Sequence, residues 1–374
     1  MKLAIITIVQ HSYKDQTYYG YAPYVREMNL WGKYVDELLV LGPRKKTNTI
    51  DAIDTFYQHR QLRFFSVPSF NILSIWQALR AIFVIPMIFI KCCLVMYKAD
   101  HIHLRCPGNI SLVACIAQIF FPFKKKSTKY AGNWDPNSHQ PWSYRLQQAI
   151  LRNTVLTRNM QVLVYGEWTN ETKNIHPFIS ATYTETEKIP FAKRDYSKTL
   201  DFVFAGALVV GKRPLLTIKI IETLNRKGIT SRLHLFGDGP LMPELKAYVS
   251  EHELSNQVVL YGNRDKEEVK NQLIQSHFNI LPSKSEGWPK AVAEGMFFGC
   301  IPVATPVSCV SWMLGEGTRG MLIEPDLEQA VSKIIDTLTH SDLDAMAKAA
   351  LVWSQQYTFN RLEADIKAVL NGTF

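Results

Sequence analysis

Short apolar runs alternate with longer segments of helical periodicity along most of this 374-residue chain. In the second half, runs of strand length occur at 201–205, 232–236, 258–261, 278–281 and 301–304. Strands interspersed with helices favour a parallel sheet that is covered by helices on both faces. We therefore predict an α/β fold built on doubly wound parallel sheets.

The first half of the chain shows the same alternation less cleanly. It opens with an apolar strand at 2–9, a tyrosine- and glycine-rich loop at 18–21 and a helix at 23–34. Further strands are predicted at 35–41, 64–67, 99–105 and 127–131, and a long apolar helix at 72–97. No internal repeat or low-complexity tract interrupts the pattern.

The length predicts two domains, at roughly 150 residues per domain. Residues 188–200 are polar, contain proline and lack a pattern, which is typical of a linker. We therefore predict a first domain at 1–187 and a second at 201–355. A C-terminal helix is expected at 356–374, and whether it packs back on the first domain is left open.

Composition excludes several classes of protein. Hydrophobic residues make up 47% of the chain and charged residues 20%, which excludes disorder, collagen and coiled coil. The six cysteines show no CxxC pair and no metal-ligand spacing, so we expect free thiols in a reducing compartment. The N-terminal apolar stretch is short for a signal peptide and is interpreted as a strand, which favours a cytoplasmic location.

The net charge of +9 resides entirely in residues 1–187, where 21 bases face 12 acids. Residues 55–134 contain ten bases and one acid, Asp100, and they include the apolar helix at 72–97. Bases such as Lys91, Lys98 and the triplet Lys124-Lys125-Lys126 beside an apolar helix favour contact with an anionic membrane surface. Nucleic acid is the rival partner, but no recognition motif supports it. A solvated basic face without a partner is the third interpretation.

The apolar helix is not expected to span the membrane. A spanning helix needs about 20 consecutive apolar residues. The unbroken run here is only 81–90, with Pro86 inside it and Arg80 and Lys91 at its ends. The sequence thus predicts a peripheral protein on the inner face of the membrane.

Glu294 is the most unusual residue of the second domain. Pro289 suits the first turn of a helix and Gly299 its end, and Glu294 lies between them among Ala, Val, Met and Phe. Burial of an unpaired carboxylate costs several kcal/mol, so we expect a polar partner. That partner is either a ligand hydroxyl or a Lys or Arg in a structural ion pair.

Glu286 and Gly287 lie just before this helix. The amides and dipole of a helix N-terminus favour phosphate. A sugar nucleotide carries both hydroxyls and phosphates. A carboxylate that accepts from hydroxyls, beside amides that bind phosphate, is therefore suited to bind it.

The Glu286/Glu294 pair and its context resemble the retaining nucleotide-sugar glycosyltransferases of the GT-B fold, the glycosyltransferase 4 family (glycosyl transferases group 1), of the bacterial polysaccharide type. The resemblance covers about 200–325. Its motifs are 204–206 leading to Lys212, the run 236–240, Tyr261-Gly262 and the two glutamates. It implies two Rossmann-like domains that face each other across a cleft.

The resemblance also implies roles for individual residues. Lys212 should contact the donor diphosphate, Glu294 the ribose hydroxyls and Glu286 the transferred sugar. Gly287 and Trp288 should supply backbone amides near the sugar and phosphate. The motif glycines Gly206 and Gly262 are also assigned to donor binding.

One position departs from the family. An arginine usually follows the glycine that matches Gly206, but here this residue is Ala207. Arg213, next to Lys212, or a base from the first domain could take the place of that second phosphate cation.

The first domain offers weaker candidates. Gly20 is the one glycine in the loop after the first strand, and the strand at 127–131 leads to Asn133 and Asp135 where the family often has a histidine. Asn133 and Asp135 are predicted to contact the acceptor or the reacting sugar, although Asn, Gly and Asp also favour turns. His11 and Arg105 are predicted at strand ends that face the cleft. His11 is a candidate for catalysis, with a structural histidine as the alternative. Arg105 is predicted to contact an anion, with a surface salt bridge as the alternative.

No metal or cofactor is expected. The only Asp-x-Asp triplet, at 342–344, begins a helix, where aspartates cap backbone amides. Charge on the leaving diphosphate would be met by Lys212 and helix-terminal amides.

Together these features predict a metal-independent retaining glycosyltransferase that moves a hexose-type unit from a nucleoside diphosphate sugar to a glycan or lipid-linked glycan hydroxyl, in cell-surface polysaccharide synthesis. The alternatives are a sugar-nucleotide epimerase or hydrolase of the same fold, and a non-catalytic membrane-associated partner protein.

Overall fold

The computed structural model describes residues 1–47, 49–51, 53–70 and 75–374, without the side chains at 75 and 78–80. The chain divides into two compact units. The first comprises Met1–Phe178 with Glu363–Phe374, and the second Ile179–Leu362. Residues 179–187, assigned from the sequence to the first domain, thus lie in the second unit, as does the segment at 188–200.

The first unit is built on parallel strands. In chain order its elements are β1 (Lys2–Ile6), β2 (His11–Lys14), β3 (Thr17–Tyr21), α1 (Ala22–Gly32), β4 (Glu37–Pro43), β5 (Asp54–Phe56), β6 (Leu62–Val67), α2 (Ile75–Lys98), β7 (His101–Cys106), α3 (Asn109–Ala117), β8 (Lys125–Tyr130), α4 (Trp142–Arg152), β9 (Met160–Tyr165) and β10 (Ile175–Phe178). The main sheet has the order β10-β9-β8-β7-β1-β4-β6, and all its described pairs are parallel. The prediction of a doubly wound sheet is confirmed for this unit.

The predicted loop around Gly20 is a β-hairpin instead. Strand β2 pairs antiparallel with β3, and His11 lies opposite Gly20. Strand β3 also pairs with β5. The threonine and three tyrosines of β3 favour an extended strand, so Gly20 is part of a sheet rather than of a glycine-rich ligand loop.

Helix α2 has two apolar faces. Ile88, Cys92, Val95 and Met96 are buried in the core of the unit. The opposite face leaves large apolar side chains exposed: Trp76, Phe83, Ile90, Leu94 and Tyr97. The predicted helix start at 72 lies outside the described residues.

By length and composition alone, one segment of the described residues, Ala81–Lys98 of α2, could cross a membrane. Its mean hydropathy is 2.0, and a third of it is buried inside the protein. Since one face of the helix packs in the core, non-spanning stays the prediction.

The lysine triplet predicted at the surface is only partly exposed. Lys126 is buried at 2% exposure, so it lies beneath the surface rather than on it. The Lys124 ammonium donates to the carbonyl oxygens of Tyr97 (2.6 Å) and Ala99 at the end of α2. Lys125 is exposed. Lys125 begins β8, and all later residues of this strand are buried, because helices cover both faces of the parallel sheet.

The second unit repeats the architecture. Its elements are β11 (Leu200–Ala205), α5 (Pro214–Arg226), β12 (Ser231–Phe236), α6 (Met242–Glu251), β13 (Val258–Gly262), α7 (Lys266–Gln275), β14 (Phe278–Leu281), α8 (Lys290–Phe297), β15 (Ile301–Ala304), α9 (Val310–Met313), β16 (Met321–Leu322), α10 (Leu327–His340) and α11 (Leu343–Ser354). A last helix, α12 (Phe359–Asn371), begins in this unit and ends in the first.

The parallel sheet of the second unit has the order β13-β12-β11-β14-β15-β16. The chain reverses its direction of winding between β11 and β14. Ligands of doubly wound sheets bind beyond the carboxyl ends of the strands at such a point. The loops that follow β11 and β14 are therefore the expected ligand-binding region.

Candidate functional site

A cavity of about 400 Å³ lies beyond the carboxyl ends of β11, β12 and β13. Its wall is formed by strand ends, by the start of α7 and by one side of α8. Lining residues include Gly206, Gly237, Asn263, Lys266, Lys290 and Glu294. Of the predicted donor residues, Gly206 and Glu294 thus line one cavity.

The floor of this cavity depends on a close approach of two backbone segments. Gly237 has φ +131°, and a Cβ at this position would lie 1.9 Å from the carbonyl oxygen of Gly206. The amide of Gly206 donates to Phe236 (3.0 Å), and that of Leu208 to Asp238 (3.0 Å). A side chain at position 237 would separate these segments, which explains the glycine physically.

Glu294 is held on α8 by the packing of that helix. A Cβ on Gly295 would lie 2.5 Å from Cβ of Asn279 on β14, so the helix lies directly against the sheet. Oε1 of Glu294 accepts a hydrogen bond from the Thr182 hydroxyl (2.8 Å). Burial raises the pKa of Glu294, while Thr182 and the charges of Lys290 and Lys266 oppose this shift.

The Glu294 carboxylate is therefore hydrogen-bonded to a neutral group, the Thr182 hydroxyl. None of the ion pairs described for this unit includes Glu294. An internal ion pair was one of the two options that the sequence left open. The cavity leaves space for the other, a hydroxylated ligand.

Three bases of the cavity were not identified from the sequence: Arg264, Lys266 and Lys290. Lys266 donates to Glu187 (2.9 Å) and lies over the Tyr183 ring, 4.3 Å from its centroid. It begins α7, a helix that the sequence analysis missed and that Asp265 caps by accepting from the Glu268 amide (2.9 Å). Asp265 followed by two glutamates is a helix-start signal that could have revealed it.

Lys212 and Glu286 form an ion pair with each other. Lys212 follows β11 and Glu286 follows β14. These are the two central strands between which the direction of winding reverses. The side chains of Lys212 and Glu286 are 28% and 8% exposed. The sequence predicted that Lys212 contacts the diphosphate and that Glu286 contacts the sugar. In the structure the two side chains contact each other.

The remaining predicted donor residues make contacts of their own within the second unit. The Arg213 guanidinium donates to the carbonyl oxygen of Pro282 (3.0 Å). The carbonyl of Gly287 accepts from Ser308 (3.3 Å) and Cys309 (3.2 Å). Gly262 closes β13, and its carbonyl accepts from the Gly237 amide (2.8 Å).

The side chain of Trp288 is buried in an aromatic cluster. Its ring stacks on Trp353 (centroids 6.3 Å apart) and meets Tyr357 edge-on (5.6 Å). This packing fixes the loop before α8, so the predicted contribution of Trp288 concerns its backbone alone.

In the first unit, His11 has the environment of a core histidine. It is fully buried, and its Nε2 lies 2.9 Å from the Tyr57 hydroxyl. Burial lowers the pKa of His11 to about 4, which makes the ring neutral at physiological pH. This environment favours the structural alternative.

Arg105 belongs to a buried charge cluster that the sequence did not reveal. Glu27 of α1 accepts from Arg105 (2.7 Å) and from Lys129 of β8 (2.9 Å). Burial raises the pKa of Glu27, but the two positive charges outweigh burial and lower it to about 2. Arg105 was predicted to contact an anionic ligand. In the structure its guanidinium instead contacts the carboxylate of Glu27.

Asn133 and Asp135 form consecutive turns after β8. The Asn133 side chain accepts from the Asp135 amide (2.9 Å), and the Asp135 side chain accepts from the Asn137 amide (2.8 Å). Such bonds are the reason why these residue types favour turns. Both residues are partly exposed at the carboxyl end of the strand.

The described residues contain no group of three or more His, Cys, Asp or Glu side chains that could hold a metal ion. In the triplet at 342–344, Asp342 caps α11 by accepting from the Ala345 amide (2.9 Å), and Asp344 pairs with Lys193 (3.4 Å).

Solved structures identify the fold. The chain is similar over its whole length to HepE from Anabaena in complex with UDP and glucose (TM-score 0.66, 16% identity, 100% of both chains). It is also similar to sucrose-phosphate synthase from Thermosynechococcus elongatus (TM-score 0.64, 14% identity, 100% of this chain and 98% of that one). The protein has the GT-B fold, as predicted.

The family follows from the sequence of the second unit. Residues 185–352 match the family model of glycosyl transferases group 1. This part of the chain contains most of the cavity and the Lys212–Glu286 pair, and the match confirms the predicted resemblance to that family.

Curated relatives agree with this assignment. An uncharacterized glycosyltransferase of Methanocaldococcus jannaschii is 29% identical over 188 residues, 49% of this chain and 50% of that protein. The amylovoran biosynthesis glycosyltransferase of Erwinia amylovora is 25% identical over 192 residues, 48% of this chain and 47% of that protein. The matches thus span about half the length of these relatives.

Proposed function

We propose that this chain is a retaining glycosyltransferase that moves a sugar from a nucleoside diphosphate sugar to a hydroxyl of a glycan or lipid-linked glycan. The observation that carries the proposal is the 400 Å³ cavity, in which the Glu294 carboxylate and three bases meet beyond the carboxyl ends of the strands. A carboxylate accepts hydrogen bonds from hydroxyls, and lysine and arginine bind phosphate.

The proposed division of roles follows from the chemistry of each group. Glu294 binds the ribose hydroxyls, since its carboxylate lines the cavity and its described hydrogen bond is to the neutral Thr182 hydroxyl. Lys212, Arg213 and the cavity bases Lys266 and Lys290 attract the diphosphate. Glu286 contacts the transferred sugar, and the amides near Gly287 and Trp288 face its phosphate.

The proposed reaction takes place on one face of the sugar. The bond between the anomeric carbon and the diphosphate oxygen breaks, and the acceptor oxygen forms a bond to that carbon from the same side. The acceptor proton passes to the departing phosphate. No protein nucleophile and no metal ion is required, because Lys212 and helix-terminal amides stabilise the charge of the leaving group.

The place in metabolism is proposed from relatives. The curated protein of Erwinia amylovora is named for amylovoran biosynthesis, and one of Salmonella typhimurium for colanic acid biosynthesis. HepE was solved with UDP and glucose. From these names we propose a role of this chain in cell-surface polysaccharide synthesis, with a nucleotide sugar as donor.

We further propose a cytoplasmic location with peripheral attachment to the inner face of the membrane. The exposed apolar face of α2 supports this part, since a contiguous patch of this kind on a soluble unit favours a lipid or protein interface.

Calorimetry with UDP, GDP and ADP, with and without chelator, tests the donor site, and Glu294→Gln serves as the matched variant. We expect one of the nucleotides to bind better than millimolar, without need of a divalent ion. No binding by any of them, or binding only with a divalent ion, contradicts the proposed site.

Product analysis tests the reaction. A panel of nucleotide sugars, incubated with and without candidate acceptors, should yield released nucleotide and a glycosylated acceptor. Free sugar or an epimerised donor in place of transfer identifies the epimerase or hydrolase alternative. Nucleotide binding without turnover of any donor identifies the non-catalytic one.

A further inference from the structure

A second cavity, of about 680 Å³, lies in the first unit at the opposite edge of its sheet. It is formed at the amino ends of strands β7, β8, β9 and β10, whereas Arg105, Asn133 and the other predicted ligand residues follow carboxyl ends. This cavity is therefore separate, within the unit, from the edge where doubly wound sheets usually bind substrates.

The charged residues that line this cavity are all basic. They are Lys125, Lys126, Arg158 and Lys173, with His101 and His176 beside them. No aspartate or glutamate is among its lining residues. Throughout the described part of the chain, none of the four Lys and Arg side chains forms an ion pair with a carboxylate.

Lys126 is the most informative of these residues. It is 2% exposed, and its ammonium donates to the side-chain oxygen (2.8 Å) and the backbone oxygen (3.3 Å) of Gln118. Burial lowers its pKa to about 8. A buried ammonium is costly without an opposite charge, so its place in the wall of a cavity lined by no aspartate or glutamate favours an anion as a further partner.

Lys129 on the same strand provides an internal comparison. It is fully buried as well, but it pairs with the Glu27 carboxylate (2.9 Å). The fold thus supplies a counterion to one buried lysine of β8 and only neutral oxygens to the other.

The rim of the cavity is apolar. Phe123 lines it and is 82% exposed, with the Arg158 guanidinium 5.4 Å from its ring centroid. Phe120, also exposed, meets Phe89 of α2 edge-on (5.8 Å). Lys124 binds the carbonyl oxygen of Tyr97 at the end of α2 (2.6 Å). Exposed aromatic side chains thus lie at the basic cavity (Phe123) and against α2 (Phe120).

We propose that this cavity binds the phosphate head group of an anionic lipid, whose chains lie against Phe123 and the outer face of α2. Lys and Arg side chains bind phosphate, and the apolar rim selects an amphiphile over a free anion. This proposal is independent of glycosyl transfer, since it concerns a site for attachment and not for the acceptor.

The test compares the Arg158→Gln/Lys173→Gln double variant with the wild-type protein by vesicle flotation. Both side chains are exposed, so the variant should fold. Vesicles of phosphatidylcholine alone, or with phosphatidic acid or phosphatidylglycerol, serve as probes. We expect binding to the anionic vesicles to weaken roughly 30-fold, since each base near an anionic surface contributes about fivefold.

A control variant separates site binding from net charge. Lys14→Gln/Arg26→Gln removes two exposed bases of the same unit that do not line the cavity. It should weaken binding much less. Equal losses in the two double variants would overturn the site and leave only a diffuse electrostatic attraction.

A second measurement concerns the buried lysine and the source of the phosphate. Inorganic phosphate and pyrophosphate should raise the melting temperature of the wild-type protein more than that of Lys126→Met, which removes the charge at similar volume. Stabilisation by these anions without any response to vesicles would overturn the lipid as occupant, and no response to either probe would overturn the site. UDP binding by the second unit should be the same in all variants, which keeps failure here distinct from failure of the proposed transferase.

Discussion

Lys212 and Glu286, 74 residues apart in the sequence, are joined in one ion pair where the sheet of the second unit reverses direction. The loop after β11 carries the cation and the loop before α8 carries the carboxylate. A diphosphate that binds Lys212 must therefore compete with, or share, its contact with Glu286. Donor binding and the position of Glu286 are coupled through this pair.

The contribution of the pair to stability is testable. Lys212→Met should lower the free energy of unfolding by about 1–3 kcal/mol, because it leaves the 8%-exposed Glu286 carboxylate without its partner. Lys212→Met/Glu286→Gln should regain most of this loss. Urea denaturation of both variants measures the effect. A single variant as stable as the wild-type protein would mean that the pair contributes nothing to the fold.

The two glutamates should differ in kinetics. Glu294→Gln should mainly weaken donor binding, because the ribose is bound equally in the ground and transition states. Glu286→Gln should mainly lower turnover, because charge develops on the sugar that it contacts. UDP affinity by calorimetry and kcat at saturating donor separate the effects. The reverse distribution, with affinity lost only in Glu286→Gln, contradicts the assigned roles.

The stability of Glu294→Gln should depend on pH. Burial raises the pKa of Glu294 in the folded state, so the wild-type fold is most stable below the unfolded value near 4.5 and loses stability as pH rises through the folded pKa. The variant lacks this loss. In thermal denaturation from pH 5 to 8, the melting temperature of the variant should therefore rise relative to that of the wild-type protein as pH rises.

If Glu294→Gln is instead less stable by the same amount at every pH, the carboxylate is a structural group of the core. Glu286→Gln is the matched control for the loss of one carboxylate on the same loop and helix.

Local patterns predicted the second unit well, because its signals lie close together in sequence. Strands β14 and β15 have the predicted bounds. Glu294 was recognisable because an apolar helix has no local use for a carboxylate. The hairpin β2–β3 was missed because Tyr18 to Tyr21 contain a glycine, and tyrosine with glycine was interpreted as a loop.

Interactions between distant residues could not be predicted in this way. Arg105 and Lys129 reach the same carboxylate, Glu27, across 78 and 102 residues. In the sequence both bases add to a positive window, yet in the structure they neutralise one acid. Likewise, Arg63 pairs with Glu37, so three of the ten bases in residues 55–134 (Arg63, Arg105 and Lys129) form ion pairs with carboxylates of the same unit.

This charge cluster should make the first unit sensitive to acid. Since the pKa of Glu27 is lowered to about 2, its ionised form stabilises the fold above pH 4.5, and that contribution is lost as pH falls towards 2. Glu27→Gln should cost up to about 3 kcal/mol at pH 6 and less at pH 3. Urea denaturation at both pH values gives the two differences, and a difference independent of pH would contradict the assignment.

Because these bases are paired within the unit, fewer positive charges are available for a membrane surface. Apolar side chains of α2, rather than the lysine triplet, should therefore contribute most of the free energy of membrane binding. Phe83 and Leu94 are 81% and 56% exposed on one face, so Phe83→Ser/Leu94→Ser should leave the melting temperature nearly unchanged. Vesicle binding should fall at least about tenfold, since burial of each such side chain contributes on the order of 1.5–3 kcal/mol.

Flotation at low and high salt measures this loss, with Val352→Ser in α11 as the control for an exposed apolar residue of the other unit. Because the contact is mainly apolar, binding to anionic vesicles should persist in part at high salt, where exposed charges are screened beyond about 3 Å. Binding by Phe83→Ser/Leu94→Ser at the wild-type level would exclude the outer face of α2 as the attachment surface. Complete loss of wild-type binding at high salt would return the attachment to the exposed bases alone.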